Sequence, residues 1–399
     1  MLPLSIRMYL QTLLVGLLLS FVYGQDRKIT PKLNYGCPNC NSSTTTLMYI
    51  KAVGSHDTIH QIWDFTRGMP TIIYVISKVN STLQITWQDI KPVRFTLSEN
   101  PLYSFAATID KLQEYNDIEN NGHIDNKCPQ RALPLRDVLW MRTDCIQSDK
   151  EAMLLMNGYV TDDERKGVIE IKLDLLPYKD YSADLPHLIH TANSTVVDVS
   201  VVNLTTSPDY NASRYAVHFT MVSTDSRSES MSYVMRKSLD DEHTPGVFEI
   251  FEIKTPKSSR SDDGGFMQFR PVSYTEPERS VSSSTNAYLS NITSTSMPKS
   301  STLRVFYRDF DRDDVLVQDM FVSFGLSGDG FYRQHNYTSW SFTLGYGVPP
   351  RETFSLFVVI IISIGLGVPV LLAVSGITFV LVKKCKQRRN PPTRFTDDE

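Results

Sequence analysis

The sequence predicts an all-β, sandwich-type luminal ectodomain, built as two packed β domains, followed by one C-terminal transmembrane helix. Three observations carry this. Beyond the first 24 positions, apolar residues recur with period two far more than with period 3.6. Short β-branched or aromatic runs are divided by turn residues at close spacing, the pattern of sandwiches and barrels and not of alternating strands and helices. A single later stretch, residues 354–382, holds 29 positions without one ionisable group.

Residues 1–24 read as a signal peptide. Arg7 supplies the positive start, residues 13–22 the apolar core, and Val22 and Gly24 the small residues before a cut at Gln25. An apolar core of about ten residues is too short to cross roughly 30 Å of hydrocarbon. A first luminal β domain is expected over 25–185, with strand runs at 46–53, 58–65, 71–77, 82–87, 93–97 and 168–175. Only 136–141 admits a helical turn or two. A second is expected over 186–352, with runs at 195–204, 215–222, 247–253, 267–274, 303–310, 315–324 and 339–346; clustered proline and charge at 177–186 mark the border. Residues 256–265 read as a polar loop, and the Ser/Thr-rich stretch 280–301 as a disordered or glycan-bearing insertion.

The transmembrane helix is expected over 353–382. At 1.5 Å per residue the uncharged run is about 43 Å long, which implies tilt or a kink, with Pro369 and the glycines at 365, 367 and 376 as the kink and close-approach points. Residues 383–399 form a basic tail. Lys383, Lys384, Lys386, Arg388 and Arg389 follow the span at once, against Arg351 before it, and this asymmetry places the C-terminus in the cytosol.

The 328 residues between signal and span suffice for two domains or one large β domain. A net charge of −4, with basic residues clustered only beside the membrane, excludes a nucleic-acid footprint. Asn-x-Ser/Thr sequons stand at Asn41, Asn80, Asn193, Asn203, Asn211, Asn291 and Asn336. Composition predicts about three by chance, so the excess points to a glycosylated luminal surface that hides loop backbone from proteases. Four of five cysteines, Cys37, Cys40, Cys128 and Cys145, lie on the luminal side. An even number in an oxidising compartment reads as two disulfides, with three connectivities open. Cys385, beside the membrane among lysines, is a palmitoylation candidate or an unmodified thiol.

No catalytic, cofactor-binding or metal-ligating set stands out. Gly325-Leu-Ser327-Gly-Asp329 lacks the final glycine of a nucleophile elbow. His187 and His190 point to opposite sides of a strand and make a poor metal pair. Asp309-Phe-Asp311-Arg-Asp313-Asp314 has alternate oxygen ligands, but Asp314 replaces the required glycine and Met320 the bidentate glutamate, so a charged turn is the better reading. Asp240-Asp241-Glu242-His243 reads as a solvated loop. In the span, Ser363 and Gly367 form a small-x-x-x-small pair that would let another helix approach.

Several blocks carry a resemblance: Tyr49-Ile-Lys-Ala-Val-Gly54, Thr58-Ile-His-Gln-Ile-Trp63, Leu188-Ile-His-Thr-Ala192, Ser238-Leu-Asp-Asp-Glu-His-Thr-Pro-Gly-Val-Phe248, Gln268-Phe-Arg-Pro-Val-Ser-Tyr274, Gly330-Phe-Tyr-Arg-Gln-His335, Ser339-Trp-Ser341 and Leu344-Gly-Tyr-Gly-Val-Pro-Pro350. In this order, before a single helix, they resemble the glycosylated lysosomal membrane protein family. The resemblance implies a lysosomal membrane protein without enzymatic activity, the accessory subunit of a multi-span major-facilitator-superfamily transporter that exports dipeptides, whose luminal face it shields; a homo-oligomer is also compatible. Family members place their luminal cysteines mainly in the C-terminal half, whereas all four here precede residue 146, so no pairing carries over. The tail has neither tyrosine nor dileucine, leaving the partner to supply the lysosomal address or the protein to reside elsewhere. A cell-surface receptor or adhesion glycoprotein is the alternative, and a membrane-anchored hydrolase a third reading.

Overall fold

The computed structural model of the protein describes residues 27–125, 127–160, 165–178, 191–224, 230–237, 249–257, 263–269, 273–311, 314–351 and 356–389. The signal peptide at 1–24, His187, His190, the 240–243 cluster and the tail beyond 389 lie outside them.

In chain order the strands are β1 (Lys28–Leu33), β2 (Leu47–Val53), β3 (Asp57–Asp64), β4 (Thr71–Lys78), β5 (Leu83–Gln88), β6 (Lys91–Leu97), β7 (Tyr103–Asn116) and β8 (Gln130–Pro134). Then follow β9 (Val138–Gln147), β10 (Ala152–Val160), β11 (Val168–Leu175), β12 (Ser194–Val202), β13 (Ser213–Thr224), β14 (Ser232–Lys237), β15 (Glu249–Lys254) and β16 (Gly265–Phe269). The short β17 (Ser273–Tyr274), β18 (Ser284–Thr285), β19 (Ala287–Leu289) and β20 (Thr293–Ser294) precede helix α1 (Thr302–Phe306) and β21 (Val315–Phe324). Helix α2 (Tyr332–His335), β22 (Tyr337–Tyr346) and helix α3 (Leu356–Arg389) complete the chain.

The expected sandwich is present as two large antiparallel sheets. The first runs β1-β2-β3-β4-β7-β13-β21-β19, and the second β14-β15-β16-β22-β12-β11-β10-β9. A boundary at 185/186 does not separate them. Each sheet takes strands from both sides of it, so the described residues on the two sides interleave in one compact unit that ends at Arg351. The core lies between the sheets and follows from alternation: Val197, Val199 and Val201 of β12 point inward, while Asp198 and Ser200 point out. Phe342 stacks edge-on against Phe219 across the layers at 5.4 Å and meets Phe269 at 4.8 Å. Each such ring contributes about 1.5–3 kcal/mol by burial. A polar pin crosses the same core: the Tyr74 hydroxyl donates to the Leu344 carbonyl at 2.7 Å and lies 2.7 Å from the Thr195 hydroxyl.

All twelve residues of β13 are buried, because the outer face of the first sheet is also covered. The β5–β6 hairpin and α1 close it with a second apolar cluster that includes Leu83, Ile85, Leu303, Phe306 and Tyr307. This corrects the strand expected at 303–310. Leu303, Phe306 and Tyr307 recur at helical spacing and put one face of α1 and the following 3-10 turn onto the sheet.

The Ser/Thr-rich stretch 280–301 is likewise no disordered insertion. It supplies β19 and β20, which pair with the edge of β21, and Leu289 and Ile292 pack against the core. The run expected at 267–274 divides into β16 and β17, and the turn expected at 136–141 is a 3-10 turn at Leu135–Asp137 that opens into β9.

The apolar helix α3, described by itself, continues through Pro369 and past Val382, where it was expected to end, to Arg389. Its segment long and apolar enough to cross a membrane is Val358–Lys386. Ser363 and Gly367, four residues apart, share one face of it.

Candidate functional site

Six of the seven sequon asparagines, Asn41, Asn80, Asn203, Asn211, Asn291 and Asn336, are exposed, and all lie in connections or at strand ends. Local backbone chemistry explains three of them. Asn80, Asn203 and Asn336 adopt φ of 71°, 50° and 53°, a left-handed conformation that asparagine tolerates better than most residues. Asn336 closes α2, and its carbonyl accepts the Asn203 backbone amide at 2.8 Å, so two sequon asparagines stand side by side where β12 ends and β22 begins. Asn193 differs. It is half-buried at the start of β12, and its amide oxygen accepts a hydrogen bond from the buried Arg27.

Beneath this surface the charged groups are tied into pairs. The Arg214 guanidinium donates to Asp117 at 2.8 Å, Asn120 at 2.8 Å and Asp329 at 2.8 Å, joining the loop after β7 to the loop after β21. Asp329 also accepts the Leu326 amide at 2.7 Å and the Thr285 hydroxyl. The segment 325–329, read as a defective nucleophile elbow, is therefore a docking loop for an arginine. On the second sheet Arg279 donates to Asp198, Ser200 and Tyr337.

One line of groups escaped the sequence reading. His218 of β13 stands between Asp110 of β7, on its Nδ1, and Asp319 of β21, 3.3 Å from its Nε2. Its partners are fixed by strand register and not by any local spacing, so nothing in the linear sequence announces them. With a carboxylate on each nitrogen and the Thr293 hydroxyl donating to Asp319, the imidazole clamps three strands.

Among the described residues no His/Cys/Asp/Glu group of three or more is arranged to hold a metal ion. Asp309 pairs with the exposed Arg94 at 3.4 Å, and the Asp314 amide donates to the Asp311 carbonyl at 3.0 Å, as a charged turn requires. Cys37 and Cys40 form a disulfide within the loop between β1 and β2, where Asn34 holds the Cys40 carbonyl at 2.8 Å. Cys128 and Cys145 are unpaired thiols, which corrects the expectation of two disulfides: Cys145 is fixed in β9 of the second sheet and Cys128 in the loop before β8 of the first. Burial pushes the Cys145 thiol above its usual range. Cys385 is exposed on α3.

Comparison with known proteins decides what kind of molecule this is. A profile of the glycosylated lysosomal membrane protein family matches residues 46–387, from the start of β2 into the last turn of the apolar helix. The chain belongs to the glycosylated lysosomal membrane protein family. Relatives support this along nearly the whole length. Glycosylated lysosomal membrane protein A of Xenopus laevis is 27% identical over 92% of this chain and 93% of its own. The proteins of that name from Mus musculus and Homo sapiens are each 26% identical, over 90% and 85% of this chain and 88% and 84% of theirs. Membership in the glycosylated lysosomal membrane protein family makes this a lysosomal membrane glycoprotein, and six of its sequons are exposed. Enzymatic glycan release followed by peptide mass mapping should find modified asparagine at the six exposed positions. Unmodified peptides at most of them would contradict a glycan coat.

Proposed function

We propose that this protein is a non-enzymatic accessory and protective subunit of a major-facilitator-superfamily transporter that exports dipeptides from the lysosome. The observation that carries the reading is the distribution of exposed acceptors around a densely packed β sandwich carried on one apolar helix. Glycans at these positions would turn the sandwich into a cover that proteases cannot easily grip. The basic collar from Lys383 to Arg389 supports a type I orientation, with the sandwich luminal and the C-terminus cytosolic. Ser363 and Gly367 would let a transporter helix approach closely, and Cys385 would take a palmitoyl chain at the cytosolic boundary.

The test is gentle solubilisation of the native protein from membranes, affinity capture and peptide identification. A multi-span transporter should co-purify, and its level should fall when this protein is deleted. Recovery of the chain without a transporter, together with unchanged transporter levels in the deletion, would overturn the proposal. Surface labelling of intact cells separates it from the receptor or adhesion reading, because a lysosomal resident stays largely unlabelled.

A further inference from the structure

Sheet edges are templates for pairing, and proteins usually blunt them. Among the described residues, three of the four outer edges of the two large sheets follow that rule. β1 carries Pro31 between Lys28 and Lys32. β9 is met by the β1 region through the Leu33 amide on Gln147 at 2.8 Å and by the Ser43 carbonyl on the Arg142 amide at 2.8 Å. The β21 side is closed by the short β19 and β20.

The fourth edge, β14, is different. Among the described residues it pairs only with β15, through the register Ser232↔Lys254 to Lys237↔Glu249. Its first four residues carry neither charge nor proline, and Tyr233, Val234 and Met235 are 56%, 47% and 54% exposed. Side chains of this size stand open to water where neighbouring β15 is buried at four consecutive positions. Two nearby cations are matched within the sheet, since Glu252 binds Arg236 at 3.3 Å and Lys254 at 2.8 Å. The glycan acceptors also avoid this region. From Asn211 to Asn291 the chain contains no sequon, and those on the second sheet sit at the ends of β12 and β22.

We propose that β14 is a self-association edge, paired antiparallel with β14 of a second copy about a two-fold axis. An axis perpendicular to the sheet keeps each face on its own side, so only residues of the same parity can oppose one another. Centred on Val234, this register sets Val234 against Val234, Tyr233 against Met235 twice, and Ser232 against Arg236 twice. Aromatic and apolar pairs meet, and no like charges are opposed. Backbone pairing then runs the second sheet through both copies, and tethering in one membrane raises their effective concentration. This proposal is independent of the transporter reading.

The test uses the full chain in mild detergent and in its own membrane. Val234→Cys places two thiols face to face across the axis, at the Cα separation of opposed strand residues, which a disulfide spans. Oxidation should give a band of twice the chain mass on a non-reducing gel, above the background set by the native thiols. Tyr159→Cys, exposed within β10, should stay at that background. Val234→Lys opposes two ammonium groups and should weaken dimerisation about tenfold by mass photometry while leaving thermal stability unchanged. No excess cross-link at 234, a parent chain of single-copy mass, or a cross-link from 234 to a different protein would each overturn the proposal.

Discussion

Replacing Arg214 by methionine is expected to lower stability by about 3–5 kcal/mol, because it removes one partner of a buried ion pair and leaves the other stranded. Arg214 is 7% exposed and Asp117 1%. The Asp117 carboxylate is also held by the Gly122 amide at 2.8 Å and the Asn121 amide at 3.2 Å, so it cannot turn toward water without breaking the loop. The fit around the guanidinium is close. A Cβ on Gly325 would fall 2.5 Å from the Arg214 Nη1, and one on Gly122 would fall 2.3 Å from the Gly325 carbonyl oxygen. Methionine restores the stem volume but none of the donors to Asn120 and Asp329. Denaturant unfolding of the purified sandwich-bearing protein measures the effect directly. A loss below about 1 kcal/mol, the range of surface ion pairs, would mean that water replaces the arginine.

A second large effect is expected with pH. His60 is fully buried on β3, with the Tyr49 hydroxyl 2.8 Å from Nδ1, the Ser81 hydroxyl 2.8 Å from Nε2 and the Ser77 hydroxyl at 3.1 Å. Burial, assisted by the charge of Lys51, lowers its pKa to about 4. Folding therefore excludes a proton that the unfolded chain accepts near pH 6.5. The stability it supports is complete above that value and declines as pH falls toward 4, by about 1.4 kcal/mol per unit and on the order of 3 kcal/mol in all. Two carboxyls act in the opposite sense. Burial raises Asp64, and burial followed by the charge of Asp198 raises Glu170, so the folded state takes up their protons first and gains stability as pH falls through their raised values. His60→Gln keeps a polar group among the hydroxyls and removes the titration. Its melting temperature should drop less between pH 7 and pH 4.5 than that of the parent; equal drops in both proteins would show that His60 is not the sensitive group.

How much of this was legible in the sequence depended on the range of the interaction concerned. Strands with clean alternation of apolar and polar residues, such as β11 and β12, could be read from period two alone. β7 could not, although it is the longest strand and lies at the centre of the first sheet. Its second half, Asp-Lys-Leu-Gln-Glu-Tyr, is rich in helix formers, and pairing with β8 and β13 overrides that preference. α1 was lost for the converse reason, since Leu-Arg-Val-Phe reads equally as strand when its covering role is unknown. The sequons were legible because three adjacent residues define each one. The Arg214 and His218 networks were not, because each draws on three or more segments joined only by register. Parity of the cysteines suggested two disulfides, but parity does not bring Cys128 and Cys145 to the same place.

The position of β22 has a consequence for biosynthesis. This strand sits inside the second sheet, between β16 and β12, yet among the described residues it is the last strand before the apolar helix. Until Tyr337–Tyr346 has emerged, β12 lacks one of its two neighbours, Val197 and Val199 lack Phe342 and Trp340 beside them, and Phe219 lacks Phe342 across the layers. The nascent chain must thus wait, with its apolar interior open, for its final segment to act as a keystone. A message cut short anywhere upstream would yield a chain that chaperones retain, and not a smaller version of the same domain.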